Sequence, residues 1–396
     1  MGENVPRDVV AANLARLRLT EARRYIMRIR IVRLTENLLP ATRAFNARLG
    51  ANAPFRLPER LPTKRPDSVA ISSGITWTHY VALENSEVRG GFLLMDQPAW
   101  INGTLDRASN YQSVLSEGIR DRKYGSVSVH MLKHIEQGPP HAFILGMGAA
   151  ENPLPRLLKA SGWTLHRVPF LFHVCNIRNF LREMRVFRKN RYWRMAAGMA
   201  SISGAGWIGI RLLQARPVSS AVSLAGLKVD RVRAWESWAD ELWSRYRNHC
   251  SFAVVRDRTT LDQLYPLSQE RLTVSLFSKG SSPIGWAACQ DTPMENDQYF
   301  GNLRVATVLD AVAAPEFAAL LARSLTRVLH ASGADLVITN QGHSLWIRAF
   351  RGAGFLPAPS NYLLATSKKL SSAIRSGGGE ERVHLTRGDG DGRIHL

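Results

Sequence analysis

The chain has 396 residues, 45% of them hydrophobic, and a formal net charge of +20 at pH 7. That apolar content is ample for packed cores, and the length suits two or three domains. Cys175, Cys250 and Cys289 lie far apart without Cys-x-x-Cys spacing, which speaks against a disulfide framework and for a reduced, cytoplasmic protein.

An excess of positive charge fits an acidic substrate, a nucleic acid, an anionic membrane or a solubilising surface. No zinc-finger spacing, helix-turn-helix signal or RNA-recognition aromatic motif accompanies it, which argues against nucleic acid as the target.

Residues 1–6 show no apolar core behind a basic start, so no secretory leader is expected, and the Ser or Thr that N-myristoylation prefers is absent. Residues 8–25 read as a basic amphipathic helix. Residues 112–119 read as a strand and 126–136 as a helix. Between them lies Arg122-Lys123-Tyr124-Gly125-Ser126-Val127. A basic turn with one glycine, opening into a helix, is a place where an anion docks. The first-turn N–H groups point outward, the helix dipole favours negative charge, and Gly125 lets a ligand approach the backbone. A strand over 142–147 and a short helix over 155–161 follow, ending at Gly162.

His130 and His134 share one face of the helix after the turn. They lack both the intervening Glu of a zinc-protease motif and a third ligand, so a solvated face is expected and no metal. Basic density then peaks at Arg178, Arg182, Arg185, Arg188, Lys189, Arg191 and Arg194. Residues 195–210 carry no charge, but a membrane-spanning helix needs about 20 apolar residues. The segment reads as an interdomain connector packed on both halves. The alternative is an interfacial segment on anionic lipid, with Trp193 and Trp207 at headgroup depth.

The order then repeats: strand 303–312, helix 315–332, strand 335–339, helix 343–352 and strand 362–366, as a tandem duplication would give. The second loop, Asp310-Ala311-Val312-Ala313-Ala314-Pro315, has no glycine and no base. Asp310 would repel a phosphate, so this copy reads as having a weak or lost anion site. In the tail, Ser376-Gly377-Gly378-Gly379 reads as a flexible linker and 383–385 as a strand. Asp389-Gly390-Asp391-Gly392 has only half the ligands of a calcium loop, so the tail is expected to fold back over one domain.

The segment Arg122–Val127, in this strand–loop–helix–strand setting, resembles the pyrophosphate loop of the GNAT N-acyltransferase superfamily, Gln/Arg-x-x-Gly-x-Gly/Ala. Arg122 and Gly125 match, whereas Val127 departs from the small residue at the last position. Arg89-Gly90-Gly91-Phe92, Gly301-Asn302-Leu303-Arg304 and the run from Thr386 to Arg393 resemble pieces of bacterial tandem-GNAT proteins, over roughly residues 25–395. A looser architectural similarity reaches the Fem-type aminoacyltransferases.

The resemblance implies an α/β protein of two GNAT-like domains, each a mixed twisted sheet flanked by helices. It implies a basic helix (1–25), a coenzyme A-binding domain (26–176), a connector (177–226), a degenerate domain (227–370) and a linker with tail (371–396). It also implies N-acyl transfer, with acetyl-coenzyme A as donor and an amine as acceptor, bulky or anionic, run from the first domain. Arg122, Lys123, Tyr124, Gly125, Ser126 and Val127 would hold the cofactor, and Glu117 would be the general base or a surface carboxylate paired with Arg120 or Arg122. Tyr111 and Tyr124 are the nearest tyrosines for a general acid, and neither is assigned that role. Asn340 and His343, after the second domain's central strand, would face substrate or serve structure. Two alternatives stay open: Fem-like aminoacyl transfer to a cell-envelope or polysaccharide precursor, and a catalytically silent scaffold on an anionic partner or membrane surface.

Overall fold

The computed structural model describes residues 29–50, 55–61, 74–184, 205–214 and 226–390. The basic helix expected over 8–25 and Arg185–Arg194 of the connector lie outside them. The chain divides into two compact units. The first takes in residues up to 70 with 76–95 and 109–142; the second takes in 71–75, 96–108 and 143–396.

In chain order the first elements are β1 (Ile29–Arg33), α1 (Leu39–Leu49), β2 (Thr76–Glu84), β3 (Glu87–Ile101), β4 (Thr104–Ser116), α2 (Ser126–Gln137) and β5 (Ala142–Leu145). Next come α3 (Pro153–Ala160), β6 (Thr164–Arg167), β7 (Phe170–Val174), α4 (Ile177–Glu183) and α5 (Ala205–Gln214). The following stretch holds β8 (Leu227–Arg231), α6 (Ser237–Tyr246), β9 (Phe252–Val254), α7 (Arg258–Leu264), β10 (Leu272–Lys279) and β11 (Ser282–Pro293). The last elements are β12 (Arg304–Ala313), α8 (Ala318–Ala331), β13 (Leu336–Asn340), α9 (Ser344–Gly352), β14 (Leu356–Ala358), β15 (Leu363–Thr366), α10 (Lys368–Ser376) and β16 (Val383–His384). The strands form two mixed sheets flanked by helices, one of nine strands and one of seven. Among the described residues no helix is long and apolar enough to cross a membrane.

In the first unit β1, β2, β3 and β4 lie side by side in that order. The β2–β3 turn is Asn85-Ser86, with Asn85 in the left-handed region at φ 57°, as a tight hairpin requires. Phe45 and Leu49 of α1 pack with Val81, Leu83, Val88 and Leu115 of the sheet. In α2 the buried positions Val127, Met131, Leu132 and Ile135 follow the helical period. The helix comes so close to β3 that a methyl group on Gly90 would lie 2.9 Å from Val127 Cγ1 and 2.6 Å from the Leu115 carbonyl.

In the second unit β12, α8 and β13 form a right-sized crossover joining two parallel strands. The same close packing recurs there: a methyl on Gly285 of β11 would lie 2.6 Å from Leu321 of α8.

Two strands, β7 and β15, cross between the sheets. β15, from the C-terminal repeat, lies antiparallel between β5 and β6, pairing Leu364 with Leu145 and with His166. Reciprocally, β7 lies antiparallel between β13 and β14, pairing Phe172 with Ile338 and with Leu356. The hinges are bonded to each other, since Val168 N–H donates to the Tyr362 carbonyl at 2.9 Å.

Where the sequence suggested a flexible linker from residue 371, α10 runs to Ser376, and His384, Thr386 and Asp389 are buried in the second unit. β16 pairs in parallel with β9, which also pairs with the end of β3 at Ala99–Ile101.

Candidate functional site

The strand before the basic turn ends earlier than the sequence suggested, at Ser116, and two short 3-10 turns, Glu117–Ile119 and Arg122–Tyr124, carry the chain into α2. A methyl group on Gly118 would meet the Tyr124 carbonyl at 2.9 Å and Gly125 Cα at 3.0 Å. Glycine at 118 is therefore what allows the two turns to stack. Within β4, Ser113 holds a φ of 51°, a conformation that strand residues other than glycine rarely adopt and that kinks the strand.

Glu117 lies beneath the turn and is mostly buried. Its Oε1 accepts from Arg48 Nε at 2.8 Å, and its Oε2 accepts from an Arg89 guanidinium N–H at 3.1 Å. Burial alone would raise its pKa, but the hydrogen bonds and charges of Arg48 and Arg89 outweigh burial and hold the carboxyl below its usual range. A carboxylate engaged by two guanidiniums has little lone pair to offer an amine proton. The partners are Arg48 and Arg89, not the Arg120 or Arg122 that proximity in sequence suggested.

Arg89 also carries Glu84 at 3.0 Å and stacks its guanidinium 4.3 Å from the Tyr124 ring centroid, while Lys123 Nζ lies 4.7 Å from the same ring. Tyr124 is consequently a buried pin of the turn, held by cation–π contact. Asp121 caps the second turn by accepting from Lys123 N–H and pairs with Lys123 Nζ at 3.0 Å.

Arg122 and Gly125 are left exposed, and Arg122 has no ion partner among the described residues. A side chain at Gly125 would meet only the Arg122 carbonyl, at 3.1 Å. Ser126 Oγ is buried without a hydrogen-bond partner among the described residues, which is costly unless a ligand supplies one. Val127 is fully buried and faces Gly90, so its side chain fills the core instead of the turn's mouth. An unpaired guanidinium and an open glycine at the start of a 12-residue helix fit an anionic group such as a pyrophosphate.

Tyr111 is fully buried beside Phe92, with ring centroids 4.9 Å apart. Burial pushes its hydroxyl pKa well up, which opposes proton exchange with water. His134 is half-buried, its ring centroid 5.1 Å from that of Tyr80. Among the described residues no group of three His, Cys, Asp or Glu side chains could hold a metal.

In the second repeat, Asn340 and His343 are both engaged by protein. Asn340 Nδ2 donates to the Pro169 carbonyl at 3.3 Å and its Oδ1 accepts from Arg387 at 3.1 Å, tying hinge and tail together. His343 is the N-cap of α9: Nδ1 accepts from Leu345 N–H, and Nε2 lies 3.0 Å from the His249 carbonyl. These contacts require the neutral ring with its proton on Nε2, and burial lowers its pKa to about 4.

Asp310 is not part of a loop. It lies inside β12, fully buried, and accepts from Arg256 Nε at 2.6 Å, Tyr265 Oη at 2.9 Å and the Ala311 N–H at 2.9 Å. Burial would raise its pKa, but Arg256 and the hydrogen bond from His384 hold it far below the usual range. The opposite edge of the buried Arg256 guanidinium donates to both oxygens of Asp389 at 2.7 Å. His384 extends the network, with Nε2 3.2 Å from Asp310 and Nδ1 2.9 Å from Tyr246 Oη, which accepts from Trp346.

Sequence reasoning missed Arg48, Arg89, Ser113, Gly118 and Arg256. Gly118 and the Arg89-Gly90-Gly91 run carried a compositional trace; Ser113 and Arg256 carried none.

No family model matches the chain, and no curated protein does. Among solved structures, the chain is similar to a GCN5-related N-acetyltransferase from Anabaena variabilis ATCC 29413, at 12% identity and TM-score 0.43, covering 72% of this chain and 62% of that one. It is similar to Saccharomyces cerevisiae N-myristoyltransferase with bound myristoyl-CoA and inhibitors, at 11% identity and TM-score 0.42, covering 73% and 66%. It is also similar to an Enterococcus faecalis V583 protein described as a probable N-acyltransferase, at 8% identity and TM-score 0.48, covering 87% and 74%. The chain spans less than two-thirds of the length of the first two.

Proposed function

We propose that the protein is an N-acyltransferase that takes its acyl group from an acyl-coenzyme A, acetyl-coenzyme A in the simplest case. The carrying observation is the turn at the head of α2, braced from below by Glu117, Arg48, Arg89 and Tyr124 and open above at Arg122 and Gly125. The pyrophosphate would lie on this turn, taking hydrogen bonds from first-turn N–H groups and charge from Arg122. At Ser113 the backbone leaves the extended conformation of β4, and a peptide N–H freed there would polarise the thioester carbonyl. Glu117 acts as a positioning residue that holds the turn, and the acceptor is an amine.

The test is calorimetric titration with acetyl-coenzyme A of the wild type, Gly125→Trp, and Glu316→Trp as a control in the second repeat. One-site binding lost only in Gly125→Trp supports the reading; equal binding by both variants places the cofactor elsewhere. Glu117→Gln should raise KM for the donor and leave the pH profile of kcat in place, whereas loss of that profile's acidic limb would restore Glu117 as base.

A second reading, a catalytically silent scaffold, draws on the engagement of Glu117 by two arginines and the burial of Tyr111 and Tyr124. It predicts coenzyme A binding without thioester turnover in the presence of amines.

A further inference from the structure

The strand exchange leaves a cavity of about 330 Å³ in the second unit, walled by β6, β15, α9, α10 and β16. None of its lining residues belongs to the basic turn. Its floor is apolar, formed by Ile347, Leu364, Ile374, Val383 and Leu385. Leu364 is there because β15 crosses between β5 and β6, and Val383 and Leu385 because alternation along the tail puts His384 on the other side, in the buried network.

The rim is charged, with Arg167, Arg348, His166, Glu380 and Glu381. His166 Nδ1 engages Glu380 at 2.7 Å. Arg167 and Arg348 have no hydrogen-bond or ion-pair partner among the described residues, although two carboxylates lie on the same rim. With Glu380 turned to His166, Arg167 and Arg348 stand on the rim without an ion partner, over an apolar floor. The volume falls at the lower end of the range for small-molecule sites, about 300–1,000 Å³. A planar guanidinium fork matches a carboxylate, and Glu381 disfavours a dianionic head.

We infer that this cavity binds a medium-chain monocarboxylate, its chain on the apolar floor and its head between Arg167 and Arg348. The site goes beyond the proposed transfer reaction and does not depend on it.

The test titrates the full-length protein calorimetrically with octanoate, with 1-octanol as the neutral analogue, and repeats both with the double variant Arg167→Ala/Arg348→Ala. Thermal unfolding confirms that the variant is folded, as its exposed positions lead us to expect. The expected result is octanoate binding at about 0.1 mM, at least tenfold weaker in the double variant, with octanol at least tenfold weaker than octanoate for the wild type. Absence of octanoate binding at 5 mM, on the order of fifty times that constant, would overturn the inference. So would octanol binding as tightly as octanoate, or a double variant with wild-type affinity. Because acetyl-coenzyme A binding is measured separately, failure here leaves the transfer reading standing, and failure there leaves this site standing.

Discussion

Two passages from strand to helix, β4 to α2 and β12 to α8, start alike and are put to different use. From β4 to α2 the chain spends residues 117–125 on two exposed turns, and its one buried carboxylate, Glu117, is turned down to Arg48 and Arg89. From β12 to α8 only Ala314 and one 3-10 turn, Pro315–Phe317, intervene. The acid there, Asp310, sits back inside the strand and is clasped by Arg256. Both passages place a carboxylate on guanidinium, and both crowd a helix onto a glycine, at Gly90 and Gly285. What differs is the length of chain between strand and helix. The longer passage can present an open basic turn, while the shorter one is absorbed into the core.

The comparison is broken most severely at Arg256. Arg256→Met would leave Asp310 and Asp389 buried without their cation, at a cost of about 3–5 kcal/mol in urea unfolding, with the tail released to proteolysis. A loss below 1 kcal/mol would mean that the network does not hold the tail.

Acid should separate the regions next. His343 has its folded pKa lowered to about 4 by burial, against about 6.5 in the unfolded chain. Protons therefore bind the unfolded chain first. The stability is whole above pH 6.5 and falls as pH drops toward 4, by up to about 3 kcal/mol. Glu117 responds only lower, because its depressed pKa places its loss below the ordinary carboxylate range. Unfolding free energies measured from pH 7 to 4 should slope in the wild type and slope less in His343→Asn, which can cap α9 without a titrating ring. Burial also lowers His79, His130, His134 and His173, which keep the remaining slope.

The smallest expected effect lies within the first passage. Gly118→Ala should weaken acetyl-coenzyme A at least tenfold by forcing the two turns apart. Gly125→Ala, with only one backbone contact to meet, should change stability by no more than about 1 kcal/mol. Equal behaviour of the two variants would mean that the stacking of the turns does not shape the site.

Much of this was legible in the sequence because periodicity and punctuation are local. The helix over 126–136, the second-repeat helix over 315–332 and the strand over 335–339 are found within a residue or a few of those positions. The strand end at Ser116 was misread because Glu117-Gly118-Ile119 continues an apolar-polar alternation while folding as a turn. Asp310 looked like a loop residue because its partner, Arg256, is distant in sequence. Arg48 and Arg89 were invisible as partners of Glu117 for the same reason. Ser113 gave no sign, since a strand kink in a non-glycine residue is imposed by its surroundings.

The crossing of β7 and β15 also sets an order of events for a chain made from its N-terminus. β5 and β6 are synthesised well before the strand that joins them, Leu363–Thr366. Until then the slot between them is an open pair of edges, and β7, the next strand along, is the nearest segment able to enter it. Completing the native pairing closes a long loop, which slows folding far more than it lowers stability. Two nascent copies side by side could fill each other's slots with the same strands. Rapid refolding at high concentration should consequently yield interlocked dimers, and slow dilution the monomer.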